Sequence, residues 1–508
     1  MPLAFKPIVD IPVWRPNSPM PAAAAAGGCF AWDMRNSAER NAPFNYFLHN
    51  ATTLYAYNPY NDDWLQLASP ALTGAYGAGA VAVFHPTQGP RGTIAAGATT
   101  TTLTLTTALP AAVAANQLAN CGDGTGFYIR ICGNTAGGAG KTESRAIVAN
   151  TAGTTPTITL DSALSFTPAS GSTYEIRSGR LFMLSAGTLA AGMWKFYDVA
   201  TNSFSTNLAT TNLPATVAGD SALVALSEGH IPNNQTIPNG FLGLITATAA
   251  ASTTITGSAV ASLVADEYRN FQIRIVEDTT NPTAVNQRRR ITTHTSGAAP
   301  VFTVPAWSVT PSATAKFVVE NDDDKILLFT NQTAVYNYNI TANTWDTSTW
   351  AAAAAAGNVG IVAAQSFGTT RDTANVARHS HIYRVRGGAG NQIDVLDISG
   401  AATGAWSADI AYGNKSQTFT TGTSGAYDPI GNNGRYLYLN LNGTQRFMRF
   451  DVRNRVLEPW TYLRYPGSTV TVGGKMSFAY NFDSGSPLPF LYTLSQSLAP
   501  MFSVACHR

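Results

Sequence analysis

Ala334-Val335-Tyr336-Asn337-Tyr338-Asn339-Ile340-Thr341-Ala342-Asn343-Thr344-Trp345 decides how the rest of the chain is read. Val335 to Ile340 has the β-branched and aromatic composition of a strand. Thr341-Ala342-Asn343 carries turn chemistry, and Trp345 opens the next strand. The same phrase recurs four times, at Leu54 to Trp64, Trp194 to Phe204, Ile393 to Trp406 and Phe447 to Trp460. Each copy is an apolar strand, an Asn or Asp near its end, a short polar turn and a bulky aromatic. An outer hairpin of this kind leaves its own apolar face uncovered, so several copies must stack before a core exists. The closing aromatics Trp64, Phe204, Trp345, Trp406 and Trp460 lie 140, 141, 61 and 54 residues apart. A four-stranded propeller blade needs about 40–50 residues, so each long interval holds one blade and something larger.

The larger segments read as two related β units. Phe127-Tyr128-Ile129-Arg130-Ile131 is matched 144 residues later by Phe271-Gln272-Ile273-Arg274-Ile275. Arg145 to Thr151 is matched at the same offset by Arg289 to Thr295, and Phe166-Thr167-Pro168 at 143 by Val309-Thr310-Pro311. Phe317-Val318-Val319 falls where Tyr174-Glu175-Ile176 lies. Short alternating strands with Thr and Gly turns predict a small all-β sandwich or barrel for each unit. The expected organisation is therefore an extended Pro/Ala/Gly-rich arm over 1–30 and a β-propeller of about six blades over 31–89, 179–234 and 321–508. The inserted β units occupy 90–178 and 235–320. Met476 to Tyr480 and Phe490 to Leu494 supply a sixth blade, with residues near 30–48 as the expected partner that closes the ring.

With 508 residues the chain can bury a large core. Charged residues make up only 12% and the net charge is +2, about half the usual charged fraction of ~25%. That balance gives no electrostatic case for sequence-specific nucleic-acid binding or for an acidic membrane surface. Cys29, Cys121, Cys132 and Cys506 are too few and scattered for a disulfide framework; pairing of Cys121 with Cys132 across a hairpin is weighed against free thiols, which are favoured. No secretory leader or membrane-spanning apolar run is expected.

Ile382-Tyr383-Arg384-Val385-Arg386-Gly387-Gly388, followed by Asp397 and Trp406, resembles the kelch repeat, in which a strand ends in Gly-Gly and a Trp follows an acidic position. The other blades keep the third strand and the aromatic but lack the glycine pair; Phe329-Thr330 stands in its place. The inserts resemble a module of tailed-phage structural proteins. Tyr128 to Ile131, Arg145 to Thr151, Thr167-Pro168 and Tyr174 to Ile176 fit its order, and the second copy departs from it with His294 for Asn and Val318-Val319 at the end. The resemblance implies a virion structural protein. Short-tailed phage nozzles carry a propeller with inserted β domains, so a tail or neck position is among those implied.

Several stretches invite a chemical reading. Ala136-Gly137-Gly138-Ala139-Gly140-Lys141-Thr142 approaches a phosphate loop, but Thr135 stands where the motif needs Gly and strand-like sequence follows where it needs a helix. A flexible hairpin loop is the expectation. Asn321-Asp322-Asp323-Asp324 is a candidate cation site, weighed against a solvated turn, which is favoured. His379 and His381 share a strand face without an evident third ligand. Arg288-Arg289-Arg290 is a candidate for meeting phosphate or a partner's acidic face, weighed against a charged strand edge that discourages pairing, which is favoured. Trp64, Trp345, Trp406 and Trp460 are candidates for stacking on sugars, with inter-blade packing favoured. No carboxylate pair, triad or nucleophile elbow stands at interpretable spacing, and no catalytic, metal or cofactor residue is assigned.

The expectation is a non-enzymatic, homo-oligomeric ring protein of a tailed-phage virion, contacting other virion proteins such as tail adaptors or fibres, with DNA free to pass through the ring. The alternatives are a kelch-like carbohydrate- or receptor-binding protein and a propeller enzyme such as an oxidase or glycosidase.

Overall fold

The structure is a computed structural model. It describes residues 15–21, 29–32, 45–59, 61–73, 79–119, 126–217, 221–226, 242–258, 260, 263–346, 350–353, 363–365, 381–386, 392–398, 401–410, 419, 424–427, 436–441, 444–451, 456–464, 475–481, 488–494 and 500–505. Among these the fold is all-β and propeller-like, and the one helical turn is Pro282–Ala284. Gly387-Gly388, His379, Cys121 and Cys506 lie outside the described residues, as does the side chain of Trp460.

Five antiparallel four-stranded sheets each draw their strands in sequence order. Sheet one is Cys29–Trp32, Asn45–Asn50, Thr53–Asn58 and Asp63–Gln66. Sheet two is Val81–His85, Arg180–Leu184, Trp194–Asp198 and Ser203–Phe204. Sheet three is Ala222–Ala225, Lys325–Phe329, Val335–Asn339 and Thr344–Asp346. Sheet four is Ala363–Gln365, His381–Arg386, Gln392–Asp397 and Ala405–Ile410. Sheet five is Ser424–Tyr427, Tyr436–Asn440, Arg446–Asp451 and Val456–Arg464. A further four-stranded sheet joins Lys475–Asn481, Leu488–Leu494 and Pro500–Ala505 to Arg15–Pro19 from the other end of the chain. The first strands of the six sheets neighbour one another in a closed cycle, the last touching the first.

Apolar runs in the second strands follow from this stacking. Successive side chains point to opposite faces of a sheet, and each inner strand is covered on both. Leu181 and Met183 pack toward sheet one, while Phe182 and Leu184 pack toward sheet three. Ile326 and Leu328 face sheet two, and Leu327 and Phe329 face sheet four. Tyr383 and Val385 join Leu437 and Phe450 between sheets four and five.

The repeated phrase has a hydrogen-bonded basis. Tyr57, Tyr197 and Tyr338 donate their hydroxyls to Asp62, Asn202 and Asn343, five positions on, at 2.8, 2.7 and 2.8 Å. Those acceptors adopt φ of 51°, 48° and 51°, a left-handed conformation that Asn and Asp tolerate best after Gly. The indole N–H of Trp64, Trp345 and Trp406 donates to Ser18 O, Ala209 O and Ala351 O. Ser18 lies in the outer strand of the neighbouring sheet, and Ala209 and Ala351 lie in the loops that follow the outer strands of theirs, so the closing Trp stitches neighbours together.

Two expectations are corrected. Arg15–Pro19, assigned to the extended arm, is the outer strand of the last sheet. It, and not residues near 30–48, joins the C-terminal strands; Cys29–Trp32 and Asn45–Asn50 belong to sheet one. Pro16 and Pro19 disguise the strand, because Pro is tolerated only at sheet edges.

The segments between sheets share one 13-stranded sheet. They pair their strands in the same order. In the first, Tyr128–Asn134 lies between Thr173–Arg177 and Gly137–Asn150; in the second, Gln272–Glu277 lies between Lys316–Glu320 and Arg288–Arg290. The bridges Val113↔Gly153 and Leu263↔Gly297 correspond. Asn150 Oδ1 accepts the Leu118 N–H at 2.8 Å and its amide donates to Thr151 O at 2.8 Å. His294 repeats both contacts: Nε2 accepts the Tyr268 N–H at 2.8 Å and Nδ1 donates to Thr295 O at 2.9 Å. The His for Asn replacement therefore preserves the local hydrogen bonding. Rather than standing apart as separate sandwiches, the two segments meet through the pair Lys141↔Glu277 and the Asp278 N–H to Gly140 O bond.

Candidate functional site

A charged residue at the centre of an apolar strand needs a partner when its neighbours are buried. Arg130 sits so between Ile129 and Ile131. Alternation sends the two Ile side chains into the first segment's core with Tyr174 and Ile176, and sends Arg130 to the opposite face. Cross-strand pairing there places Arg91, Glu175 and Arg130 in one row, and Thr93, Thr173 and Cys132 in the next.

Glu175 is the centre of this face. Arg91 reaches it at 2.9 Å, Arg130 and Arg288 at 3.7 Å, and Arg177 at 3.9 Å. Burial opposes its charge, but the guanidiniums of Arg91, Arg177, Arg288 and Arg130 outweigh burial and hold its carboxyl well below the usual carboxylate range. Arg91 also bonds Gln88 and Thr341. Arg91, Arg130, Glu175, Arg288, Asn286 and Thr341 line a cavity of about 550 Å³ between the two segments and the turn after Val335–Asn339.

Behind the cavity wall lies Asp323, fully buried. Its Oδ1 accepts from Arg288 at 2.9 Å and from Gln272 at 3.0 Å, and its backbone O accepts from Gln88 at 2.6 Å. Arg177 lies 4.0 Å from Oδ2. Gln272 also donates to Glu320 and Asn321 O, and Arg274 forms a buried two-point pair with Glu320. Asp324 accepts from the N–H and hydroxyl of Thr341. The turn is thus not simply the solvated one that its composition predicts: Asp322 and Asp324 are half-buried, and Asp323 is a buried hub joining both segments to sheet three. Burial raises the Asp322 carboxyl. Nearby His85 is pushed down to about 4, first by burial and further by Arg177 and Arg91, against the pull of Asp323.

The other candidates separate. Gly137 to Thr142 begins the strand Gly137–Asn150, and no helix follows. Among the described residues Arg288–Arg290 does form an edge strand, paired only with Gln272–Glu277, but its side chains are anchored individually. Arg288 enters the Asp323 hub. Arg289 lies over Trp307 and donates to Ala306 O. Arg290 bonds Asn270 and, at 2.7 Å, Ala402 O of sheet four. His381 lies 3.7 Å from Asp397. Trp345 is buried against Trp194 and Tyr338, and Trp406 packs on Phe329 and Arg384. Cys29 and Cys132 are free thiols, with burial pushing Cys132 up. Among the described residues no group of His, Cys, Asp and Glu is placed to hold a metal ion, and no helix is long and apolar enough to cross a membrane.

Arg91 and Arg177 carried no sequence signal of their own. Arg130, Glu175 and Arg288 stood within recognised stretches, as landmarks of strands; the usable signal was a charge inside an otherwise buried alternation.

No family model matches the chain, and no curated protein does. Among solved structures it is similar to an auxiliary nutrient binding protein from Bacteroides thetaiotaomicron, at 10% identity and a TM-score of 0.23, over 53% of this chain and 66% of that one. The match spans just under two thirds of that protein's length, and a likeness this low carries no argument about function.

Proposed function

We propose that the protein is a non-enzymatic structural component of a tailed-phage virion, assembling as a homo-oligomeric ring in the tail, at the nozzle, tip or neck. In this reading the six four-stranded sheets are the blades of a kelch-like propeller. The segments 90–178 and 235–320 are two copies of one inserted β unit. The carrying observation is the Asp323 hub, which ties both units to the disc through Arg177, Gln272 and Arg288. Breaking one member of a buried charged network costs about 3–5 kcal/mol, so the units are held in fixed orientation, as a load-bearing ring requires. The phage-type order of motifs in both units supports the location, and closed cyclic symmetry is the usual route to such assemblies. Other virion proteins, such as tail adaptors or fibres, are the further partners, with DNA passing through the ring without sequence readout.

The test is the mass of the purified protein by analytical ultracentrifugation, together with its sedimentation with particles from an infected culture. A closed multimer that co-sediments with particles is the expected result. A monomer at every concentration, absent from particles, refutes the proposal.

A further inference from the structure

We propose that His85 is an acid-sensitive pin at the root of the first β segment. When its ring takes up a proton, the joint between that segment, sheet two and the Asp323 turn opens, and the segment loses its fixed orientation while the disc stays folded. The inference is independent of membership in a particle. His85 closes the first strand of sheet two, Val81–His85. The chain then leaves for the first segment through Thr87, Gln88 and Arg91. It returns through Arg177 to Arg180, the cross-strand partner of His85. Both connections of the segment therefore border one imidazole, which is fully buried. Its Nδ1 lies 3.3 Å from the Thr87 hydroxyl, and the ring meets Phe182 edge-on with centroids 6.5 Å apart.

Burial opposes a proton on this ring; Asp323 favours it, Arg177 and Arg91 oppose it, and the Leu226 backbone favours it. Asp323 is already engaged, its Oδ1 by Arg288 and Gln272, with Arg177 4.0 Å from Oδ2. The other charges about the joint are engaged as well. Arg180 holds Asp198 at 2.9 Å on the ring's own sheet, and Arg91 holds Glu175 at 2.9 Å. In the second segment Arg274 holds Glu320, and in the turn Lys325 lies 3.8 Å from Asp322, while Asp324 accepts from Thr341. A charged imidazole must therefore draw Asp323 from its present donors or admit water to the joint. Either loosens the grip of Arg177, Arg288 and Gln272 on that carboxylate. The closed ring titrates at about 4 and an open one near the ordinary value of about 6.5. The open joint thus binds the proton more tightly, and acid favours opening. Asp322, raised by burial, holds its proton better in the closed joint and works the other way.

The experiment follows hydrogen exchange of the purified full chain by mass spectrometry at about pH 7.5, 6 and 5, each rate divided by the intrinsic rate at that pH. Peptides covering 85–93 and 173–180 are expected to open roughly thirtyfold more at about pH 5 than at about pH 7.5, while peptides from sheet five do not change. His85→Gln keeps a polar side chain that does not titrate, and it abolishes the acid response. Equal opening at all three pH values, or an acid response that survives His85→Gln, overturns the proposal. So does sheet five opening in step, which marks general unfolding rather than a local joint. Should His85→Gln not fold, the wild-type profile decides. From about pH 6 to 5, above the ordinary range of Asp and Glu, one imidazole proton raises opening roughly sevenfold; a flat profile overturns the proposal.

Discussion

Replacing His294 by Asn should be mild, and replacing it by Ala severe. Nε2 accepts the Tyr268 N–H and Nδ1 donates to Thr295 O, so the ring works as a neutral acceptor–donor pair, in keeping with burial lowering its pKa. Ala leaves a buried N–H and a carbonyl unmatched, which with the lost ring packing costs about 2–4 kcal/mol. Asn can restore both contacts, as Asn150 does in the first segment. It forfeits the ring contacts with Phe302 and Tyr268, centred 5.2 and 6.2 Å away, of which the closer is worth about 0.5–1.5 kcal/mol. Hydrogen exchange of peptides covering 263–303 reads the local opening. With a factor of ten for each 1.4 kcal/mol, exchange should quicken roughly thirtyfold to several hundredfold in His294→Ala and by about tenfold or less in His294→Asn. Equal acceleration in the two variants would refute the equivalence of Asn150 and His294.

Three further outcomes are expected. His85, at about 4 when folded and near 6.5 when unfolded, takes up its proton more readily in the unfolded chain. Its contribution of roughly 3 kcal/mol is full above about pH 6.5 and is lost as pH falls toward 4; urea midpoints measured over that window should flatten in His85→Leu. Arg274→Met strands the buried Glu320 and should lower stability by about 3–5 kcal/mol, whereas the double change with Glu320→Leu should recover most of the loss in chemical unfolding. Tyr338→Phe should cost about 1 kcal/mol through the lost bond to Asn343, and Asn343→Ala should cost more than Asn343→Gly because φ there is 51°.

The blades were legible because their information is local. A Tyr-bearing strand, an Asn or Asp five positions on and a closing Trp or Phe lie within one short stretch, and that stretch makes its own turn. The correspondence of the two β segments was legible for a related reason, since equal offsets survive when strand pairing is the same. The arginine-lined cavity was not. Gln88 reaches Asp323 across 235 positions and Arg91 reaches Thr341 across 250. No window of sequence contains both partners, so an acidic run looks like a solvated turn until its cations are brought to it. Arg15–Pro19 was missed on similar grounds: its two prolines suit an arm, and its partner strand lies almost a chain length away.

That last pairing has a biosynthetic consequence. Asn17 meets Met501 across 484 positions, and at ribosomal rates of about 5–20 residues per second the first strand waits roughly 25–100 s for its mate. A ready β edge left idle for so long is prone to capture by a neighbouring nascent chain. Pro16 and Pro19 lack the amide hydrogens that such a capture would use, so the latch stays unattractive to strangers until its own keeper is synthesised.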